Sequence, residues 1–239
     1  MPKSKRSTIV NLTKTNKKTK ESKSRLIDRL RLISDQFKFC WLFEVENVRN
    51  NHLQEIRSSW KQSKIFIGKN ALMRIGLGVK VEDEHLPGLS ELSNLIEGNV
   101  GLLFTDESPR VVLDWFDDYI RDEYARKGNL ATETVELPEG PVMIKQMNED
   151  PIVAPGSLEV QLRNLGLPTK LERGVPRLSS SFEICKLGEK LDTEKANLLR
   201  ILGYQMAKFR INLLNVWVKD RCKTFGVQQI RDELAKEIL

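Results

Sequence analysis

The residues whose types and spacing best suit chemistry form one stretch, Lys64-Ile65-Phe66-Ile67-Gly68-Lys69-Asn70-Ala71-Leu72-Met73-Arg74. The chemistry is anion binding. Ile65 to Ile67 is β-branched and aromatic and predicts a short buried strand. Gly68 permits a sharp turn out of it. Lys69, Asn70 and Arg74 then fall on the first turns of a helix. At 100° per residue, Lys69, Asn70, Met73, Arg74 and Leu77 fill an arc of roughly 140°, with Ala71, Leu72 and Ile75 opposite. One face is expected to pack on a sheet while the other presents cations and an amide at a helix start. There, free N–H groups and the helix dipole favour phosphate.

A nucleotide P-loop fits poorly. The pattern G-x-x-x-x-G-K-[ST] needs a glycine five residues before Gly68 and a hydroxyl where Asn70 stands. On chemistry alone the stretch is equally a solvated basic helix start. A second candidate is acidic: Asp114, Asp117, Asp118, Asp122 and Glu123. A magnesium-dependent RNA nuclease would need such acids, but no metal motif or glycine-bordered pocket accompanies them, so they read as a solvated face. Cys40, Cys185 and Cys222 are odd in number and scattered, and His52 and His85 are the only histidines. Neither a disulfide framework nor a zinc site follows from that spacing, and a reducing compartment fits. Both histidines read as surface residues near helix starts, with no catalytic partner. No enzyme, metal or cofactor is expected.

The elements that must position the cationic stretch belong to a chain of 239 residues, 40% hydrophobic and 30% charged. That is enough for one large or two ordinary domains with a wet surface. No run approaches the roughly 18 apolar residues of a membrane span, and no apolar stretch follows the basic N-terminus to make a secretory signal. The net charge of +6 is unevenly placed. Residues 1–25 carry nine Lys/Arg against Glu21 alone, a net +8, so the remainder carries −2. Residues 1–22 therefore read as a disordered basic tail. Lys3, Lys5, Arg6, Lys17, Lys18 and Lys20 in it suit nuclear targeting or a nucleic-acid arm, against the alternative of a solubilising tail.

Beyond the tail, Leu26, Leu30, Ile33 and Phe37 recur at helical spacing from Ser24 onward. Phe37 to Val45 predicts a central strand, with Cys40 a small core residue in it. Leu53, Ile56 and Trp60 stripe a second helix whose other side carries Gln54, Arg57 and Lys61. That helix runs into the Lys64–Arg74 stretch, so two neighbouring elements are expected to share one basic surface. A helix over His85 to Ile96, a strand over Val100 to Phe104, and a helix capped by Ser108 with Pro109 at its first position follow. Six of the nine prolines fall between residues 127 and 190. Short strands such as Val142 to Lys145 and Thr169 to Glu172 alternate there with a helix over Leu158 to Leu165, closed by Gly166. This marks an inserted domain, 127–190. Residues 23–126 and 191–239 form the enclosing α/β domain. In its second part, Leu198, Leu202, Met206 and Phe209 align on a helix capped by Asp192 or Thr193. Leu213 to Val218 is a further buried strand, and Val227, Ile230, Leu234 and Ile238 stripe a closing helix. The fold class is α/β: a mixed sheet flanked by helices, with a smaller inserted α+β domain.

With these segments in place the chain resembles the large-subunit ribosomal stalk-base family over roughly residues 20–215. Leu53-Gln54-Glu55-Ile56-Arg57 and Gly68-Lys69-Asn70-Ala71-Leu72-Met73-Arg74 look like its RNA-facing segment. Glu97 to Thr105 is similar to its next core strand, and Gly156 to Leu202, with Gly166-Leu167-Pro168-Thr169-Lys170 and Arg173-Gly174, looks like its inserted domain. The stalk-recruiting helices and acidic tail of that family do not follow Leu239. The lysine-rich start is instead similar to the family's nuclear assembly paralogues. The resemblance implies a placeholder on the stalk-base region of large-subunit rRNA within the pre-60S particle, beside a neighbouring ribosomal protein. It would be exchanged for the stalk-base protein with the help of a release factor. It also implies a nucleolar and nuclear location, open to shuttling to the cytoplasm on pre-ribosomal particles. The RNA contacts expected are Gln54, Arg57, Lys61, Lys64, Gly68, Lys69, Asn70, Met73 and Arg74. Ile75 departs from the family's frequent basic residue and is left out. The alternative is a structural stalk-base protein that stays on mature ribosomes.

Overall fold

The structure is a computed structural model that describes residues 20–147 and 149–236. In chain order its elements begin with α1 (Lys20–Gln36), β1 (Phe39–Glu46), α2 (Asn50–Ser59), β2 (Lys64–Phe66) and α3 (Asn70–Leu77). Next come α4 (Leu89–Asn94), β3 (Val100–Thr105), α5 (Pro109–Asp118) and β4 (Arg121–Glu123). Then follow β5 (Val135–Leu137), β6 (Gly140–Pro141), β7 (Met143–Gln146), β8 (Glu149–Val153), α6 (Glu159–Asn164), β9 (Thr169–Glu172) and β10 (Val175–Leu178). The chain closes with β11 (Phe182–Cys185), α7 (Thr193–Ile201), β12 (Ala207–Val218), β13 (Lys223–Gly226) and α8 (Val227–Lys236). The described residues group into two compact units: unit 1 from 20–42, 62–106 and 214–236, and unit 2 from 43–61 and 107–213.

Unit 1 is a helix-flanked sheet in the order β13-β12-β1-β3-β2. The expected central strand is β1, whose Cys40, Trp41 and Leu42 are fully buried. Burial pushes the Cys40 thiol far up, so it is inert. All six residues of β3 are buried. The Trp217 indole lies in the same core and donates from Nε1 to the Pro87 carbonyl at 3.0 Å. Helix α1 packs on α3 at close range: a Cβ on Gly76 would stand 2.6 Å from Leu30 Cδ2. It begins at Lys20, so Lys20 to Ser22 belong to the helix rather than to the tail. Glu21 favours the positive end of the dipole and pairs with Arg25 at 2.6 Å. The remaining tail cations lie outside the described residues. Helix α4 is shorter than expected, starting at Leu89 after Gly88 turns the chain at φ +81°.

In unit 2, Trp60 stacks on Phe116 (5.5 Å between ring centroids) and meets the edge of Trp115. These rings join α2 to α5, as their apolar stripes require. Strand β4 pairs antiparallel with the start of β12, Ala207 opposite Glu123 and Phe209 opposite Arg121. Small sheets β6-β10-β9, β11-β5 and β7-β8 accompany α6. The apolar cluster of this unit runs from Ala125 through Leu162, Leu167 and Ile184 to Leu199, Met206 and Ala207. That core does not stop at residue 190, because α7 packs into it.

Asp192 caps α7 by accepting from the Lys195 backbone N–H at 2.9 Å. The helix ends at Ile201, and Gly203 follows at φ +83°. Met206 and Phe209 therefore do not continue it. Ala207, Phe209 and Ile211 are buried while Lys208 and Arg210 are exposed, a period of two that makes this segment strand. Strand β12 is thus 12 residues long and begins well before the expected start at Leu213.

Candidate nucleic-acid interface

In unit 1, β2 pairs antiparallel with β3, Lys64 opposite Phe104 and Phe66 opposite Leu102. Ser63 anchors its start by donating to Thr105 Oγ1 at 2.8 Å in a buried bond. The strand lies at the sheet edge and is exposed or half-buried along its length, not buried as its apolar residues predict. Lys64 at its start is exposed. Gly68 is not in the left-handed region; it is small because a Cβ would come within 3.2 Å of the Phe66 ring. Close approach, rather than turn conformation, explains it.

Lys69 is the extended N-cap of α3, and its carbonyl accepts from the N–H groups of Leu72 and Met73. Its side chain is exposed. The first turn of α3 holds no acid and no side-chain cap. A cation here opposes the helix dipole at a cost of about 0.3–1 kcal/mol, so stability does not account for it. Asn70 Nδ2 donates to the Gly98 carbonyl at 2.9 Å, tying the helix start to the turn before β3. The Arg74 carbonyl accepts from Ser93 Oγ at 3.3 Å, and its half-buried side chain keeps Nε buried without a hydrogen-bond partner. Lys64, Lys69 and Arg74 form no ion pair among the described residues.

The faces of α3 are not those expected. Met73, Gly76 and Leu77 are buried, while Ala71 and Ile75 are exposed, Ile75 by 52%. Met73 is wholly inside the unit 1 core and cannot reach a ligand. The apolar residues on one side of the arc claim the sheet, so the cations occupy its rim rather than its centre.

In unit 2, Leu53 and Ile56 bury one side of α2 while Gln54, Arg57 and Lys61 are exposed. Its start holds a polar network that sequence spacing only partly signals. The Tyr119 hydroxyl donates to Glu55 Oε2 at 2.7 Å. Burial, helped by that bond, pushes the Tyr119 phenol up to about 12. The same bond holds the Glu55 carboxyl below its usual range. His52 lies 3.2 Å from Glu123 Oε2 through Nε2 and 3.7 Å from Glu55 through Nδ1, with its ring 4.9 Å from that of Phe209. Arg49 Nε reaches the same Glu123 oxygen at 3.2 Å, an ion pair without hydrogen-bond alignment. His52 is thus a half-buried partner of two carboxylates, not an isolated surface residue. His85 likewise contacts Asp35 at 2.8 Å. The His52–Glu55 spacing of three was visible in the sequence; the 71-residue separation of His52 from Glu123 hid the rest.

Of the acidic constellation, Asp114, Asp118 and Asp122 are exposed, whereas Glu123 is drawn into this network. Among the described residues no group of three or more His, Cys, Asp or Glu could hold a metal ion, and no helix is long and apolar enough to cross a membrane.

Residues 18–121 match the family described as Ribosomal protein L10, and residues 125–203 match the family described as the insertion domain of the corresponding 60S ribosomal protein. The chain is 39% identical over 222 residues to ribosome assembly factor mrt4 of Schizosaccharomyces pombe, covering 92% of each protein. Ribosome assembly factor MRT4 of Saccharomyces cerevisiae is 37% identical over 217 residues, 89% of this chain and 92% of that protein. Large ribosomal subunit protein uL10 of Methanopyrus kandleri is 26% identical over 220 residues, 91% of this chain and 57% of that protein.

Proposed function

The chain belongs to the Mrt4 family of ribosome assembly factors, paralogous to the large-subunit protein uL10, and from that premise we propose that it acts in large-subunit assembly by binding rRNA. Its site is the stalk-base region, which it holds as a placeholder until uL10 takes it over. The observation that carries this reading is the match to assembly factors across about nine-tenths of both chains. It works by binding, without catalysis, in the nucleolus and nucleus.

The contacts follow from exposure and charge. Lys64 and Lys69 in unit 1 bond phosphate oxygens, and the accessible part of Arg74 adds a third cation. Arg57 and Lys61 in unit 2 do the same, and Gln54 reaches a sugar 2′-hydroxyl or base edge. Gly68 brings the backbone close to the RNA. Asn70 gives its amide nitrogen to Gly98 and offers Oδ1 as an acceptor. Met73 is withdrawn from the set, being buried. Five phosphate contacts give a log–log salt slope of about −3.5 to −4.5.

Full-length Lys64→Glu/Lys69→Glu protein should bind a transcript of the stalk-base rRNA on the order of 100-fold more weakly, since two charge-assisted bonds at about 1.5 kcal/mol each are removed. Both side chains are exposed, so thermal melting should not fall. Undiminished affinity would remove the proposed surface. Placeholder action requires that uL10 and this protein exclude one another on that transcript; a stable ternary complex at the site would contradict it.

A further inference from the structure

Unit 2 holds another concentration of cations, outside the contacts assigned above. Arg49, Arg126 and Arg200 line an open cleft of about 830 Å³, together with Asn50 and Glu123. A smaller hollow of about 270 Å³ shares the three arginines and adds Lys127. The guanidiniums come from the link between β1 and α2, from the segment after β4, and from the last turn of α7. Only folding gathers them.

Their charge is poorly balanced from within. Glu123 is the one carboxylate lining the larger cleft, and it is already engaged by Arg49, His52 and the Tyr124 backbone N–H at 2.9 Å. Arg126 gives one Nη to the Val48 carbonyl at 3.0 Å, which fixes its plane and leaves its other donors available. Arg200 and Lys127 are exposed and form no ion pair among the described residues. Like charges collected on one concave surface repel one another, and an anion seated among them would relieve that repulsion.

We propose that this cleft is a second RNA-binding site, in which Arg126 and Arg200 grip a backbone phosphate. Guanidiniums approaching from three chain segments suit a tetrahedral group with oxygens on several sides better than a planar carboxylate, which a single arginine satisfies in two-pronged fashion. The inference rests on the rRNA-binding reading above. It adds residues of unit 2 outside the contacts assigned above on α2 and α3.

The test uses full-length wild type, Arg200→Gln, Arg126→Gln/Arg200→Gln and Arg200→Lys, titrated with the stalk-base transcript over a salt series. Losing this one phosphate contact in the double variant should reduce the log–log slope by about 0.7–0.9, and Arg200→Gln alone should reduce it by part of that. Affinity should drop roughly 10-fold for each arginine replaced. Arg200→Lys keeps the charge and should keep the slope. The Arg200 side chain forms no hydrogen bond or ion pair among the described residues, so the single variant reads the site without disturbing the fold. Unchanged slope and affinity in both Gln variants, with binding still weakened about 100-fold in Lys64→Glu/Lys69→Glu, would overturn this site alone. So would failure of Arg200→Gln to bind polyglutamate while its RNA slope stays intact, which would assign the cleft to an acidic peptide. No binding by wild type would instead sink the rRNA reading, and this site with it.

Discussion

Two groups of cations, one at residues 64–74 of unit 1 and one at the start of α2 in unit 2, are treated in opposite ways. Around residues 64–74 of unit 1, Lys64, Lys69 and Arg74 form no ion pair among the described residues, and Lys69 sits at the end of α3 where a cation is unfavourable. At the start of α2 in unit 2, Arg49 and His52 are joined to Glu123, and Glu55 to Tyr119. One set commits its charge to the fold. The other leaves it unpaired among the described residues. Carboxylate partners, rather than the number of basic residues, separate a structural cation from one available to a ligand.

That contrast breaks most visibly at Glu123. Replacing it by Ala leaves Arg49 without its counter-charge and His52 without its carboxylate partner in a half-buried setting. The expected cost is about 2–3 kcal/mol, below the roughly 3–5 of a fully buried pair. Urea unfolding would measure it. A change within experimental scatter would mean the network is incidental.

Tyr119→Phe should cost about 1 kcal/mol through the missing hydrogen bond. It should also let the Glu55 carboxyl return toward its ordinary range, visible by NMR titration. A depressed carboxyl contributes stability above its unfolded pKa that fades as pH falls through the folded value. Wild type should therefore lose this contribution on acidification, and Tyr119→Phe should not. The Tyr119 phenol behaves with the opposite sense. Its folded pKa of about 12 lies above the ordinary value of 10, so its contribution is complete below pH 10 and is lost as pH rises toward 12. Phenolate absorbance of Tyr119 developing near pH 10 would contradict the bond to Glu55.

The smallest effect has the most telling sign. Lys69→Glu should raise stability by a few tenths of a kcal/mol, because an acid suits the start of α3, while weakening RNA binding. A residue that serves the fold would lose on both measures.

Much of unit 1 was legible in the sequence. The run from Phe37 to Val45 is too aromatic and β-branched for anything but an inner strand, and β1 is one, starting two residues later at Phe39. In unit 2, Ser108 and Pro109 likewise mark the start of α5. The cationic stretch was visible because its charges lie close together in the chain. Its geometry was less so. Helical periodicity gives two faces without saying which one the sheet takes, and Met73 with Leu77 proved the stronger claimant. Spacings of three and four that continue past Gly203 place Phe209 on a helix, whereas the alternation in Ala207 to Ile211 makes the segment strand. The network at Glu123 and the arginine cleft join residues far apart in the chain, His52 with Glu123 and Arg49 with Arg200. No local pattern announces such a meeting.

The central claim is that the unit 1 cations hold stalk-base rRNA in assembling subunits. Cross-linking in cells, read at nucleotide and residue resolution, tests it most directly. Links are expected from the 64–74 segment to the stalk-base region, recovered from nuclear pre-60S particles and scarce in polysomes. Links from that segment to other rRNA, or equal recovery from translating ribosomes, would contradict it.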